Sequence, residues 1–246
     1  MLRDRFQSHF QKFISNLRFV RKMDSPLMRF LGKILFFVPD FMTRYSTTIG
    51  ANKIYVAEAV WSIPDDPGNI SLYAHEYTHC EDRKRLGALT YSFLWLFPQI
   101  LVLGALLSLL AIWFSSAWLW ALVCLVFILP WPAPGRYYLE RRGYEMSLAC
   151  ESWVSGNPSN PLQAWATAQF TGPSYYWMWP FKKQVARNFA QHMIRVSKQE
   201  FPSKFYDNVV EFLVKEKIGN LNQEEKVRNL LMRLKEEQSL QNLLKQ

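Results

Sequence analysis

His75-Glu76-Tyr77-Thr78-His79 sets two histidines four residues apart with a glutamate directly after the first. On an α-helix that spacing stacks both imidazoles on one face, about one turn apart, where they can share one metal ion. The glutamate is offset from them and can reach a water on that metal. This H-E-x-x-H arrangement is the signature of zinc hydrolases. A charged surface helix carries the same five residues by accident, so the flanks matter. Asn69 after Pro67-Gly68 predicts an N-cap, Lys84 and Arg85 suit a last turn, and Gly87 suits a terminator. The histidines then lie mid-helix on rigid backbone. Only His9 and His192 lie outside the motif, so half of the chain's histidines sit within it.

The rest of the composition points to a bilayer. The net charge is +9, which suits anionic lipid on a cytoplasmic face as well as nucleic acid. No RNA-reading motif accompanies it, so nucleic acid is not an expected partner. The 10 Trp and 11 Tyr suit residues anchored at a membrane interface. Cys80, Cys124 and Cys150 have neither Cys-x-x-Cys spacing nor an even count, which argues against disulfides and thiolate zinc. Cys80 reads as a packed small side chain.

Residues 92–131 are the apolar centre. Leu94 to Phe114 is 21 residues without a charge, long enough to cross a hydrocarbon core, with Pro98 as a first-turn residue or kink. After Ser115-Ser116, Trp118 to Trp131 is uncharged again for 14 residues, or roughly 21 Å as an α-helix. A helical hairpin that spans or re-enters the membrane fits, with burial by a partner as the soluble alternative. Arg83, Lys84 and Arg85 before it and Arg136, Arg141 and Arg142 after it place both ends on the cytoplasmic side.

The segment from Tyr137 to Trp153 predicts one helix, bounded by Pro134-Gly135 and Gly156. It returns the chain to the side of His75 and His79 and carries two carboxylates, Glu140 and Glu145. Five positions apart, they occupy different faces, so one of them is the candidate third ligand. Tyr144 shares the side of Glu140.

Here the chain resembles the gluzincins, thermolysin-type zinc peptidases in which a glutamate on a second helix completes the site. Their second motif reads E-x-x-A-Tyr or E-x-x-x-Asp, and this chain has Glu140-Arg141-Arg142-Gly143-Tyr144. The membrane pair between the two motif helices resembles integral-membrane peptidases of the heat-shock membrane protease and CAAX prenyl protease kind. The resemblance covers mainly residues 45–153. It implies Zn²⁺ on His75, His79 and Glu140, Glu76 as catalytic base, and a polypeptide substrate. Tyr144 is the nearest candidate to stabilise an oxyanion. Asp82, three residues after His79, is a candidate to hold a ligating imidazole, or else a surface charge paired with Arg85 or Lys84.

The fold expected is α+β and predominantly helical, with a zincin-like core, a small β-hairpin and the inserted apolar hairpin. Residues 1–44 read as amphipathic N-terminal helices, 45–156 as the catalytic core and 157–246 as an aromatic loop with C-terminal helices. Residues 1–24 read as a basic amphipathic helix on Phe6, Phe10, Phe13, Ile14 and Leu17, without the long apolar run of a secretory leader. Leu27 to Met42 reads as an interfacial or buried helix. Thr47 to Gly50 and Ile54 to Val56 read as two strands around Ala51-Asn52, and Ile54 to Val56 is the candidate edge for substrate backbone. Tyr175 or Tyr176 could donate to substrate from an aromatic lid, though interfacial packing explains the cluster as well. Lys182 to Gln199 is a basic helix whose His192 is a packed histidine or a distant transition-state donor. Tyr206 to Lys217 and Gln223 to Gln246 read as further helices. Two functions follow: a zinc endopeptidase at a membrane surface, or a non-catalytic membrane or assembly protein with a structural metal. A structural metal needs only ligands, whereas hydrolysis also needs Glu76.

Overall fold

The computed structural model describes residues 1–219 apart from 37, 39, 51, 156–159, 199 and 202. In chain order the elements are α1 (Leu2–Phe10), β1 (Arg18–Arg21), α2 (Pro26–Ile34), β2 (Thr47–Ile49), β3 (Lys53–Val56), α3 (Glu58–Trp61), α4 (Asn69–Leu86) and α5 (Ala88–Leu96). Two 3-10 segments, Gln99–Ile112 and Ser116–Ile128, come next. They are followed by α6 (Pro134–Ser155), α7 (Asn160–Thr171), α8 (Lys182–Ser197) and α9 (Lys204–Lys215). The described chain is thus predominantly helical with one small sheet, as expected. The helix expected at 223–246 lies outside the described residues.

Helix α4 is the axis of the fold, because it is covered on three sides. At about 100° per residue, Tyr73 and Tyr77 face one way, His75, His79 and Asp82 a second, and Glu76 and Cys80 a third. All seven are buried. Phe6 and Phe10 of α1 cover the tyrosine face, with ring centroids 5.7 Å from Tyr73 and 4.4 Å from Tyr77 respectively. Phe212 of α9 packs on Phe6 at 5.1 Å. Each such ring removed from water is worth about 2–3 kcal/mol, so the two ends of the described chain are held to α4 by one aromatic cluster. Helix α6 covers the histidine face and the sheet covers the third.

Several expectations are corrected. Asn69 is the first helical residue and not the cap; its side chain donates to the Ile63 carbonyl at 2.8 Å. Gly87 does end α4, in a backbone region (φ 80°, ψ 156°) open in practice only to glycine. The helix predicted over residues 1–24 stops at Phe10, and residues 18–21 become β1, parallel to β3 with Phe19 opposite Ile54. The sheet order β1-β3-β2 puts β3 in the middle. The strand at the edge beside α4 is therefore β2, not Ile54 to Val56. Lys22, expected on a polar helix face, is fully buried; its ammonium donates to the Phe41 and Tyr45 carbonyls and the Thr47 hydroxyl at 2.7–2.9 Å. Burial pulls its pKa down to about 8. Three donors meet three oxygens, and the loop leading into β2 closes around them.

The apolar tract does not form one long helix from Leu94. Pro98 has no N–H to continue α5, and the chain turns there by 89°. Leu94 to Leu96 stay in α5, where the Leu94 carbonyl lies against Gly135 of α6 at a spot with no room for a side chain. The two 3-10 segments pack on each other, Gly104 against Cys124, and stand away from the body. Of their residues only Ala105 is buried. Among the described residues no single helix is long and apolar enough to cross a membrane; α5 and the first 3-10 segment are so only as a bent pair.

His192 is a packed histidine. Its Nε2 donates to the Glu145 carbonyl of α6 at 2.9 Å, and its ring lies against Tyr206. Burial lowers its pKa to about 4. A histidine neutral in the fold and titrating near 6.5 when unfolded contributes stability that is complete above pH 6.5. That stability is lost as pH falls towards 4, on the order of 3 kcal/mol in all. Denaturant melts of wild type and His192→Gln should therefore diverge in pH dependence between 6.5 and 4, with the shallower loss in the variant.

Candidate metal centre

The histidine face of α4 meets a stripe of α6 made of Glu140, Gly143, Tyr144 and Ser147, at the three- and four-residue spacing of one helix side. Here His75 Nε2 and His79 Nε2 lie 3.1 Å apart, and Glu140 Oε2 lies 3.7 Å from each. All three residues are buried. Oε2 is a buried carboxylate oxygen with no hydrogen-bond partner among the described residues. Nothing among the described residues hydrogen-bonds that oxygen, and both imidazoles turn the same nitrogen towards it. The cluster can hold a metal ion. Glu145 is elsewhere, on the far side of α6, paired with Arg141 at 3.4 Å.

Two of the three candidate ligands, His75 and Glu140, are aimed by a neighbour. Ser147 Oγ donates to the Ser71 carbonyl at 3.1 Å, which leaves its lone pair to accept from His75 Nδ1 at 3.3 Å. That puts the proton of His75 on Nδ1 and frees Nε2 to ligate. The indole N–H of Trp95, on α5, donates to Glu140 Oε1 at 2.9 Å, so Oε2 is the oxygen turned to the histidines. Gly143 provides room: a Cβ there would sit 2.7 Å from His75 Nε2. Burial works against charge on His79 and on Glu140, and their mutual attraction overrides it. His79 is held up at about 9, and the Glu140 carboxyl well below the usual carboxylate range.

Asp82 does not reach His79 Nδ1, which has no partner among the described residues. Instead Asp82, almost fully buried, accepts from Arg142 Nε at 2.9 and 3.0 Å and from Arg85 at 3.2 Å. The Arg85 pairing was one of the two readings of its sequence position. The Arg142 pair fastens α4 to α6 one turn beyond the cluster.

Glu76 faces the sheet. Its Oε2 accepts from the Thr48 hydroxyl of β2 at 2.6 Å, a short charge-assisted bond. Tyr144 sets its ring edge-on against His75, centroids 4.9 Å apart, and its hydroxyl lies 3.4 Å from that of Tyr175. Burial raises both phenols, and the charges of Glu140 and Glu76 add to the rise, so both keep their protons at neutral pH. Tyr176 points away, to the Ile128 carbonyl at the foot of the apolar hairpin. Cys80 is a buried free thiol whose pKa is pushed up by burial.

Sequence reasoning missed Thr48, Trp95 and Ser147. Ser147 had a signal, since it lies seven residues after Glu140 and so on the same helix side. Trp95 had none, because it reaches Glu140 only after α5 folds back on α6. In comparisons with known proteins, no family model, no curated protein and no solved structure matches this chain.

Metal analysis of purified variants separates these roles. Glu140→Ala should lose bound metal and Glu145→Ala keep it. Ser147→Ala should weaken affinity about 10–100-fold, as removal of a ligand's outer partner does. Gly143→Ala should weaken it too, by displacing the His75 ring, and chelator competition measures both.

Proposed function

We propose that this chain is a zinc-dependent endopeptidase of the gluzincin kind, acting at a membrane surface. The observation that carries the reading is the buried convergence of two imidazole nitrogens and one carboxylate oxygen without a hydrogen-bond partner among the described residues, with a further carboxylate on Glu76, the residue after His75. Zinc takes nitrogen and oxygen ligands at about 2.0–2.2 Å, so tetrahedral ligand atoms should stand roughly 3.3–3.5 Å apart. The three edges here are 3.1, 3.7 and 3.7 Å. Nitrogen-rich sites of this size suit zinc better than calcium or magnesium, which take oxygen.

His75, His79 and Glu140 would hold a zinc ion, which would supply Lewis-acid chemistry towards water and a peptide carbonyl. Glu76 takes the proton of the attacking water and delivers it to the leaving amine. Thr48 keeps the Glu76 carboxylate from rotating away while it does so. Tyr144 and Tyr175, both protonated, are the donors available to a developing oxyanion. An extended polypeptide adds to the edge strand β2, which brings its carbonyls past Glu76.

The apolar hairpin supports the membrane part of the reading. Its outward Leu, Ile, Val and Trp side chains form a far larger apolar surface than a soluble monomer exposes. At about 2.0 Å per residue the 14- and 13-residue 3-10 arms are roughly 28 and 26 Å long, against a hydrocarbon core of about 30 Å. The arginines and lysines at both ends favour the cytoplasmic face for the metal centre.

Two measurements test this. Glu76→Gln should keep its zinc and fold but lose about 10²–10⁴-fold in kcat on unfolded polypeptide in detergent, because the amide cannot take a proton. Equal rates in the two proteins would remove Glu76 from the mechanism. Zinc-loaded wild type that cleaves nothing across a broad peptide library would instead favour a structural metal. The chain should also resist alkaline carbonate extraction, and cysteine tags at the exposed positions 88 and 132 should label from the same side; release, or labelling from opposite sides, would sink the hairpin.

A further inference from the structure

Helix α2 divides into three stripes. At about 100° per residue, Met28 and Gly32 point one way, Arg29 and Lys33 a second, and Leu27, Phe30, Leu31 and Ile34 a third. The first stripe is its seat: Met28 is fully buried, and the Met42 side chain lies close against Gly32, where a Cβ would make a tight contact at 3.0 Å. The third stripe faces outward. Leu27 is 45%, Phe30 60% and Ile34 50% exposed, and Met23 just ahead of the helix is 41% exposed.

A nine-residue helix with one buried side chain has too little packing to hold it in water. Its ends are prepared all the same, with Pro26 at the first turn and the Ser25 hydroxyl accepting from the Met28 N–H at 3.3 Å. Helices with an apolar stripe beside a cationic one are built to lie in a membrane interface. The charges point the same way. Arg29 and Lys33 are exposed and have no ion pair among the described residues, while the neighbouring acids, Asp24 and Asp40, already pair with Arg21 and Arg44. The rim of the apolar stripe is therefore cationic, complementary to anionic headgroups.

We infer that α2 is a second membrane contact, an in-plane helix whose Leu27, Phe30 and Ile34 enter the acyl boundary while Arg29 and Lys33 meet anionic lipid headgroups. The inference rests on the membrane reading only in taking the bilayer as the occupant. It holds whether the hairpin spans or re-enters. It also has a consequence for the metal centre. The chain runs from α2 through the loop closed on Lys22 into β2, whose Thr48 holds Glu76, so lipid contact on α2 steadies the strand that lines the site.

Amide hydrogen exchange of the full chain in phosphatidylcholine nanodiscs, with and without phosphatidylglycerol, tests it. Exchange across 27–34 should be at least about tenfold slower in wild type than in Leu27→Ser/Phe30→Ser/Ile34→Ser. Arg29→Gln/Lys33→Gln should lose the extra protection that phosphatidylglycerol gives. Slow exchange in α4 and α6 shows that each variant is folded. Equal exchange across 27–34 in wild type and the triple variant overturns the inference. So does protection in detergent that rises with protein concentration, which would assign the stripe to a second copy of the chain. Fast exchange across 99–128 beside slow exchange across 27–34 sinks the hairpin and leaves α2 standing, and the reverse pattern does the opposite.

Discussion

Gly143 lets α6 approach α4 until an imidazole ring fills the place a side chain would have taken. Much else depends on that approach. It brings Glu140 to the histidines, puts Ser147 against His75 Nδ1, and sets the Tyr144 ring on the same imidazole. The part-buried pair of Asp82 and Arg142 then fixes the crossing one turn further on. An ion pair removed from water in this way loses hydration that its attraction only partly returns, so it is a poor source of stability. It is a good source of register, because the almost fully buried Asp82 carboxylate draws Arg142 of α6 to one fixed place on α4.

The stripes on the two long helices were legible because a helix repeats every three to four residues whatever surrounds it. Spacing put His75 and His79 on one face, Glu140 with Tyr144 on another and Glu145 apart from them; the choice of Glu140 over Glu145, and the notice taken of Gly143, came from the resemblance to the gluzincin motif. The hairpin of β2 and β3 was legible as well, from its β-branched residues and Gly50. Contacts between segments distant in sequence were not legible. Trp95 reaches Glu140 because Gly135 admits the backbone of α5, and Thr48 reaches Glu76 because β2 ends up at the sheet edge. Neither follows from a local pattern.

The misread N-terminus has a related cause. Phe6, Phe10, Phe13, Ile14 and Leu17 keep helical spacing past the point where the helix ends, because a compact turn can bury the same residues. Asn16, with φ at 58°, and the Gln11 side chain, which donates to the Leu17 carbonyl at 3.0 Å, redirect the chain into β1. Lys22 was misread for the opposite reason. Charge normally marks an exposed face, but three backbone and hydroxyl oxygens can solvate one ammonium inside a protein.

The contact between Leu94 and Gly135 has an architectural consequence. The chain leaves the body and re-enters it at nearly one point, so the 3-10 hairpin is a loop closed at its own base. The crossing of the two helices that carry the cluster is made elsewhere, by Gly143, Asp82 and Arg142. Such a topology is that of an inserted module. A shortened chain joining α5 to α6 by a brief turn would keep the same inner surfaces facing one another.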